Sequence, residues 1–172
     1  MAIKIRNSEI ADIKSILDIF KSAKSYMRKN KNFTQWNDDY PGENHIMDDI
    51  KHGNSYVGIN ETGEIVMTFA FILGEDPTYL NIREGEWINN EPYGTIHRLA
   101  SNGKERGVLK AACDYCFTKT NNIRLDTHES NLPMQKAVTD LNFVKCGVII
   151  CRDGSPRIAF LKSLKEDSIE IK

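Results

Sequence analysis

The sequence predicts an α/β domain with a mixed, mostly antiparallel central sheet and helices on both faces of that sheet. One observation is that β-rich runs and runs with the helical period alternate along the chain in the order βα(α)βββαβαββ. Another is that the second half reads strand, helix, strand, which implies a parallel pair with a right-handed crossover, whereas tight turns join the other strands. A chain of 172 residues has the size of one domain, so we expect residues 1–172 to form a single unit.

The first half of the chain is predicted to hold a strand, two helices and a hairpin. Residues 3–6 alternate apolar and basic side chains, and Asn7 and Ser8 offer caps for an amphipathic helix. The helical period is lost from residue 25 to 41, which predicts a long loop before a short second helix that ends at Gly53. Residues 55–59 and 64–73 are rich in strand formers and are joined by Asn-Glu-Thr-Gly, which predicts a hairpin. The apolar positions with helical spacing are Ile10, Ile13, Ile16, Leu17 and Phe20 in the first helix, and Ile46, Met47 and Ile50 in the second.

The second half is predicted to hold the remaining strands and two more helices. A strand around residues 86–88 precedes a stronger one from Tyr93 to Ser101, and a helix follows that carries the apolar residues Val108, Leu109, Ala112, Cys113, Cys116 and Phe117. Further strands are expected at residues 123–128, 142–151 and 157–161, with a helix starting near residue 133 and a turn at residues 153–154.

Composition and charge exclude several classes of protein. The formal net charge of −1 produces no field that attracts nucleic acid or an anionic membrane, so neither is an expected partner. The start of the chain is charged and has no secretory pattern, and no run approaches the roughly 18 apolar residues that span a bilayer. We therefore expect a cytosolic (cytoplasmic) protein.

The cysteines and histidines do not form a metal-binding pattern. Cys113 and Cys116 fall in the middle of a predicted helix, and Cys146 and Cys151 fall on opposite faces of a predicted strand. The four histidines have no metal-ligand spacing. We expect free thiols and no metal.

A loop with two glycines follows the strand that ends at Ser101. This glycine loop, residues 102–107, leads directly into a helix, whose first N–H groups and positive dipole end suit an anion. Gly103 and Gly107 allow a positive φ, and Lys104 and Arg106 add charge that suits phosphate. The same composition also fits an ordinary strand-to-helix turn. The spacing excludes a P-loop and a dinucleotide-binding fingerprint.

The strand YGTIHRLAS, the loop after it, the strand RLDTHESN and the terminal LNFVKCGVII resemble the GNAT superfamily of acyl-CoA-dependent N-acetyltransferases over nearly the whole chain. The resemblance implies a splayed parallel strand pair, acetyl-CoA as acetyl donor, direct transfer to a primary amine and a homodimer. It implies that the loop Lys104-Glu105-Arg106-Gly107-Val108-Leu109, with Gly103 before it, holds the pyrophosphate through backbone N–H groups. It also implies that pantetheine lies along the strand residues Leu99, Ala100 and Ser101.

Leu109, Val138, Asn131 and Asn142 depart from the family pattern or allow two interpretations. Leu109 replaces a small residue, so it either crowds the pyrophosphate or packs inward. Val138 stands where many relatives have a tyrosine as general acid. Asn131 matches an asparagine that reaches pantetheine, but it also suits a helix cap. Asn142 replaces a glycine and is expected in the left-handed conformation.

Acetyl transfer needs a base, because an alkylamine with a pKa near ~10 is protonated at neutral pH. His97 is our first candidate, since it lies on the predicted strand on one face with Thr95 and Leu99; the alternative is a histidine satisfied within the sheet. Further candidates are Asp126, His128 and Tyr93, although Asp126 also suits an ion pair with Arg98 or Arg124 and Tyr93 also suits packing at a strand start.

Two aromatic residues are candidates for the amine acceptor site. Trp36 and Tyr40 lie in the predicted loop 25–41, where this fold commonly lines the acceptor pocket, and aromatic rings suit a cationic or apolar amine. Trp36 also suits a role in anchoring the loop to the core. A different function on the same fold, a non-catalytic acyl-CoA-binding regulatory domain, is the alternative to an enzyme.

Overall fold

A computed structural model describes residues 3–164, and in this part of the chain seven strands form a mixed sheet. The strands are β1 Lys4–Asn7, β2 Ser55–Ile59, β3 Ile65–Leu73, β4 Gly94–Ser101, β5 Asn122–Thr127, β6 Val144–Ile150 and β7 Pro156–Ser163. The α-helices are α1 Ile13–Lys29, α2 Glu43–Lys51, α3 Val108–Cys116 and α4 Leu132–Asp140, with short 3-10 helices at Ile10–Asp12 and Pro77–Tyr79.

The sheet has the order β1-β2-β3-β4-β5-β7-β6 and confirms the predicted fold class. The pairs β1–β2, β2–β3, β5–β7 and β6–β7 are antiparallel. The pair β4–β5 is parallel, and its register holds two positions, Gly94 opposite Ile123 and Thr95 opposite Arg124. The parallel pairing therefore ends two residues before His97.

The chain divides into two compact units. Within the described part of the chain, the first contains residues 3–71 together with His97–Ala112, and the second contains Ile72–Ile96 together with residues 113–164. The single domain of residues 1–172 stays a prediction, and residues 1–2 and 165–172 lie outside the described part of the chain.

The first unit has a core between α1, α2 and the sheet. The buried side chains are Ile16, Ile19, Phe20, Trp36, Ile46, Val57 and Ala100. The predicted amphipathic helices are thus confirmed, but the ends of α1 differ from the prediction. Ile10 is exposed in the 3-10 turn before α1, where Asp12 accepts hydrogen bonds from Arg6 and from the N–H of Glu9. At its other end α1 continues five residues into the predicted loop, to Lys29.

One strand that the sequence predicts in the second unit is absent. Residues 86–88 form no strand; instead Trp87 stacks on Tyr79 with ring centroids 5.5 Å apart and donates from its indole N–H to the carbonyl of Tyr79 at 2.9 Å. The guanidinium carbon of Arg124 lies 3.9 Å from the ring centroid of Trp87 and 3.8 Å from that of Tyr93. The backbone contact with the sheet comes earlier, where Arg83 pairs with Val148.

No helix within residues 3–164 combines the length and the apolar character needed to cross a bilayer.

Candidate functional site

The glycine loop leads from β4 to α3 with a backbone that is open on one side. Gly103 and Gly107 have φ values of +78° and +73°, in the left-handed region that favours glycine. A Cβ placed on either glycine would meet nothing within 4 Å. Ala111 donates to the carbonyl of Gly107 at 2.9 Å, so the N–H groups of Val108 and Leu109, which come earlier, have no acceptor within the helix. These open backbone positions at a helix N-terminus suit a phosphate group.

Leu109 packs inward and does not crowd this loop. Its side chain is only 5% exposed, and Ala112 and Cys113 of the same helix are buried with it. Of the two interpretations that the sequence leaves open, the structure therefore supports inward packing.

The β2–β3 hairpin holds the glycine loop through polar contacts that the sequence analysis missed. The ammonium of Lys104 lies 2.6 Å from a carboxylate oxygen of Glu64, and the amide of Asn60 donates to the carboxylate of Glu105 at 3.3 Å. The backbone N–H of Asn102 donates to the carbonyl of Val66 at 3.0 Å. Because these partners lie about forty residues away in sequence, no local pattern indicates them. The charge of Lys104 is thus partly offset by Glu64, while Arg106 is exposed.

The predicted pantetheine strand bends just before it reaches the loop. Arg98 has a φ of +53°, so the regular alternation of side chains is interrupted between His97 and Leu99. After the bend Ala100 is buried in the core, and Leu99 and Ser101 are half-buried. The prediction that His97 and Leu99 share a face rested on unbroken alternation, which the strand does not have.

Arg98 forms a partly buried ion pair next to the predicted base, His97. Its guanidinium donates to both carboxylate oxygens of Asp49 in α2, with Nη2–Oδ1 and Nη2–Oδ2 distances of 2.7 Å and 2.6 Å and an Nε–Oδ2 distance of 3.1 Å. The hydroxyl of Tyr40 accepts from Nη1 at 3.4 Å. His97 itself is half-buried. Asp126, the partner of Arg98 that the sequence predicts as one alternative, is not the partner found: the ion pair is with Asp49.

Trp36 anchors the connection between α1 and α2. It is 8% exposed, and its ring meets the rings of Phe20 and Tyr40 edge-on at centroid distances of 5.5 Å and 6.5 Å. Tyr40 is half-buried, and the centroid of its ring lies 4.8 Å from that of the His45 ring. These contacts support the anchoring interpretation of Trp36, and acceptor binding by Trp36 and Tyr40 stays a prediction.

An open groove of about 800 Å³ runs along α1 in the first unit. Its apolar floor includes Phe20 and Pro41, and its basic side chains come from one face of α1. Lys24 donates to the carbonyls of Asp38 and Pro41 at 2.9 Å and 3.1 Å, and Arg28 forms an ion pair with the carboxylate of Asp38. These basic groups therefore fasten the connecting loop to α1.

Asp126, in the second unit, belongs to a buried polar cluster. Its carboxylate accepts a hydrogen bond from the hydroxyl of Tyr79 at 2.5 Å, and the guanidinium Nε of Arg157 lies 4.0 Å away. Burial raises the pKa of Tyr79, with the charge of Asp126 acting in the same direction. Burial also raises the pKa of Cys151, whose sulfur lies 3.9 Å from Asp126, to about 12. The geometry fits a structural carboxylate, and the sequence analysis did not identify Tyr79 or Arg157 as its partners.

His128 also lies in the second unit, just after β5. Its Nδ1 lies 2.7 Å from the hydroxyl of Ser130 and accepts from the backbone N–H of Ser130 at 3.1 Å. Burial lowers the pKa of His128, and the charge of Arg157 lowers it further. Both effects favour the neutral ring, which is the state that a base requires.

The remaining predicted residues of the second unit have structural contacts. The hydroxyl of Tyr93 accepts from the N–H of Asp76 at 2.9 Å, and its ring packs on Arg124. The side chain of Asn131 accepts from the N–H of Met134 at 3.3 Å, which is the capping interpretation of this residue. Val138 is fully buried, and Asn142 has the predicted positive φ, +60°.

The four cysteines form no disulfide, and within residues 3–164 no group of three or more His, Cys, Asp or Glu side chains could hold a metal ion.

Comparison with known proteins identifies the fold. No protein-family model and no curated protein matches this chain. Among solved structures, an acetyltransferase of the GNAT family from Streptococcus agalactiae is 32% identical, with a TM-score of 0.84 over 94% of this chain and 95% of that chain. A GNAT-family acetyltransferase from Listeria monocytogenes is 18% identical, with a TM-score of 0.68 over 94% and 95% of the two chains.

AAC(6')-Ib, solved in complex with ribostamycin and coenzyme A, is 15% identical, with a TM-score of 0.67 over all of both chains. At that identity the likeness concerns the fold alone. The match to the streptococcal protein is closer in both sequence and structure and extends over almost the whole chain, and so this chain belongs to the GNAT family of acetyltransferases.

Proposed function

We propose that this chain is an N-acetyltransferase that moves the acetyl group of acetyl-CoA directly to a primary amine of a small molecule or of a protein N-terminus. The observation that carries the proposal is the glycine loop at the start of α3, where two left-handed glycines face open space and Leu109 points into the core. A structural neighbour of the same fold was solved with coenzyme A, which supports acetyl-CoA as the donor substrate.

In this proposal the backbone does most of the donor binding. The N–H groups from Lys104 to Leu109 hold the pyrophosphate, and the charge of Arg106 adds to the attraction. The backbone of Leu99, Ala100 and Ser101 pairs with pantetheine. The ammonium of Lys104 is engaged by Glu64, and its backbone N–H donates to the side chain of Asn102 at 3.0 Å, so the N–H groups later in the loop contribute more to phosphate binding.

The chemistry requires one bond to form and one to break. The nitrogen of a neutral amine attacks the carbonyl carbon of the thioester and forms the new carbon–nitrogen bond. The carbon–sulfur bond breaks, and the thiolate of coenzyme A takes up a proton to become the free thiol. His97 is the proposed base that accepts the proton of the amine, directly or through water. Asp126, His128 and Tyr93 are the other proposed proton-transfer groups, although Asp126 and Tyr93 are engaged in structural contacts.

Val138 favours a second candidate function. Its fully buried, apolar side chain occupies the position at which many GNAT enzymes have an acidic tyrosine. A coenzyme A thiolate is a tolerable leaving group without that acid, and water can protonate it. The alternative is a non-catalytic domain that binds acyl-CoA and regulates a partner.

Two measurements separate these functions. Calorimetry with acetyl-CoA tests the donor site, and release of free coenzyme A with a panel of amines tests turnover. Tight binding without release for any amine would refute the enzyme and leave the regulatory domain. A protein that does not bind coenzyme A would refute both.

A pair of histidine variants tests the base. His97→Ala is expected to lower kcat by about 10²–10⁴ with little change in acetyl-CoA affinity, because general base catalysis is worth that factor. His52→Ala is the matched control, since His52 is exposed at the end of α2 in the same unit. Equal activity of the two variants would contradict the role of His97.

The acceptor site is tested at the aromatic residues. Trp36→Ala also removes core packing around Phe20, so Trp36→Phe and Tyr40→Phe are the cleaner variants. We expect these variants to raise the KM for the amine more than they change kcat. Unchanged KM values for every accepted amine would contradict the assignment. The cytosolic location, the homodimer and the single domain also remain predictions.

A further inference from the structure

Arg98 adopts a conformation that is unusual for its residue type and position. It lies inside β4, where extended backbone is the rule, yet its φ is +53°. Residues with a side chain avoid the left-handed region because Cβ approaches the following carbonyl oxygen. Such a residue persists where its surroundings hold it in place, and these positions are often functional.

The surroundings of Arg98 in the first unit provide that hold. Two nitrogens of the guanidinium contact the carboxylate of Asp49: Nη2 lies 2.7 Å from Oδ1 and 2.6 Å from Oδ2, and Nε lies 3.1 Å from Oδ2. The side chains of Arg98 and Asp49 are only 16% and 12% exposed, so water competes weakly for either charge. The hydroxyl of Tyr40 accepts a further hydrogen bond from Nη1 at 3.4 Å. The free space next to the pair is about 10 Å³, at most the room for about one water molecule.

The bend lies at the point where the proposed donor site begins. The next three residues, Leu99 to Ser101, are the proposed pantetheine strand, and the glycine loop follows at once. A glycine at position 98 would adopt this φ without strain. An arginine instead links the bend to α2 through Asp49, so the direction of the strand after residue 98 depends on the ion pair.

We infer that Arg98 is a positioning residue: its ion pair with Asp49 holds the left-handed bend of β4 and thereby fixes the backbone of Leu99–Ser101 for acetyl-CoA. This inference rests on the proposed function. The acetyl donor touches the backbone that the pair positions, and the guanidinium acts through that backbone.

The test compares two substitutions that remove the same ion pair. Arg98→Ala loses the pair and disfavours the bend, whereas Arg98→Gly loses the pair but accepts the bend. Calorimetry should show that coenzyme A binds Arg98→Ala about 5- to 30-fold more weakly than Arg98→Gly, the equivalent of about 1–2 kcal/mol of left-handed strain. Arg98→Lys, which keeps one charged donor, should fall between the wild type and Arg98→Ala.

A second arm tests Asp49 itself. Asp49→Asn should weaken coenzyme A binding in the wild-type background and leave it unchanged in the Arg98→Gly background, because no guanidinium remains to be held. Equal coenzyme A affinity for Arg98→Ala and Arg98→Gly would overturn the inference, as would an Asp49→Asn effect of the same size in both backgrounds.

Denaturant unfolding tests the bend without coenzyme A, so it also applies to variants that no longer bind coenzyme A. Arg98→Gly should have the higher midpoint of the two variants, because it adopts the bend without strain. Asp49→Asn should lower the midpoint in the wild-type background but not in the Arg98→Gly background, and equal shifts in both would overturn the role of the pair in holding the bend. A wild-type protein that does not bind coenzyme A would refute the proposed function and the donor part of the inference. The unfolding midpoints would then still decide whether the pair holds the bend.

Discussion

Replacing Leu109 by alanine tests whether the glycine loop can hold a pyrophosphate beside a large residue. The loop pattern that this sequence resembles has a small residue at this position, so a leucine that faced the ligand would clash with it. In the structure the side chain is 5% exposed and packs with the buried face of α3. A Leu→Ala substitution at a core site costs about 2–5 kcal/mol, and we expect Leu109→Ala to lower the free energy of unfolding by about 2–4 kcal/mol.

The same substitution should leave the affinity for coenzyme A within about threefold, since the removed atoms point away from the loop. Urea unfolding measures the stability, and calorimetry measures the affinity. Leu132→Ala is the control, because Leu132 is 68% exposed at the start of α4 and should change stability by less than about 0.5 kcal/mol. Binding that becomes tenfold tighter in Leu109→Ala, with little loss of stability, would refute the inward packing.

Three further predictions concern the loop, its charge and the acid stability of the fold. Gly107→Ala, at a φ of +73°, should weaken coenzyme A binding at least ~5-fold, because alanine is strained in the left-handed conformation and adds a methyl group to the open side of the loop. Gly53→Ala, at a φ of +70°, introduces the same strain away from the loop and should leave binding unchanged. Equal losses of affinity in the two variants would contradict the donor site at the glycine loop. Glu64→Gln removes the carboxylate that is paired with Lys104, so coenzyme A should bind roughly 2- to 5-fold more tightly at low salt but with unchanged affinity at high salt. Weaker binding would instead show that Glu64 acts by holding the loop. The hydrogen bond from Arg6 lowers the pKa of Asp12, so the ionised carboxylate stabilises the fold fully above its ordinary pKa of 3.8 and loses this effect as the pH falls through the lower folded-state pKa. Asp12→Asn should therefore flatten the fall of the unfolding free energy with pH below about pH 4. Urea unfolding at several pH values measures this slope, and an unchanged slope would disprove the prediction.

Local patterns predicted most of the regular elements correctly. The apolar period along α2 and the turn of the β2–β3 hairpin depend on neighbouring residues only, so the sequence contains the information. Asn142 is a similar case: asparagine tolerates the left-handed conformation, and its φ of +60° follows from that property.

The errors in the predicted elements come from contacts between distant residues and from residues that tolerate more than one environment. The helix α1 continues to Lys29 because methionine, arginine and lysine favour helix even where the apolar period has ended. The predicted strand at residues 86–88 is absent because Trp87 packs on Tyr79 and Arg124, which are remote from one another in sequence.

The candidate site was predictable where backbone conformation decides it and unpredictable where side-chain pairing does. Gly103 and Gly107 indicate their own positive φ values, because few other residues adopt them. Arg98 gives no such indication, since its left-handed φ depends on Asp49, forty-nine residues earlier. The position of Leu109 depends on the packing of the whole helix α3, and a comparison of motifs alone cannot determine it.

The two tryptophans of the chain offer a way to observe its two units separately. Trp36 is packed in the first unit, and Trp87 is stacked on Arg124 and Tyr79 in the second. Trp87→Phe leaves a fluorophore that reports on the first unit, and Trp36→Phe leaves one that reports on the second. Coincident emission changes of the two proteins during denaturation would reveal one cooperative structure, and separate changes would reveal two.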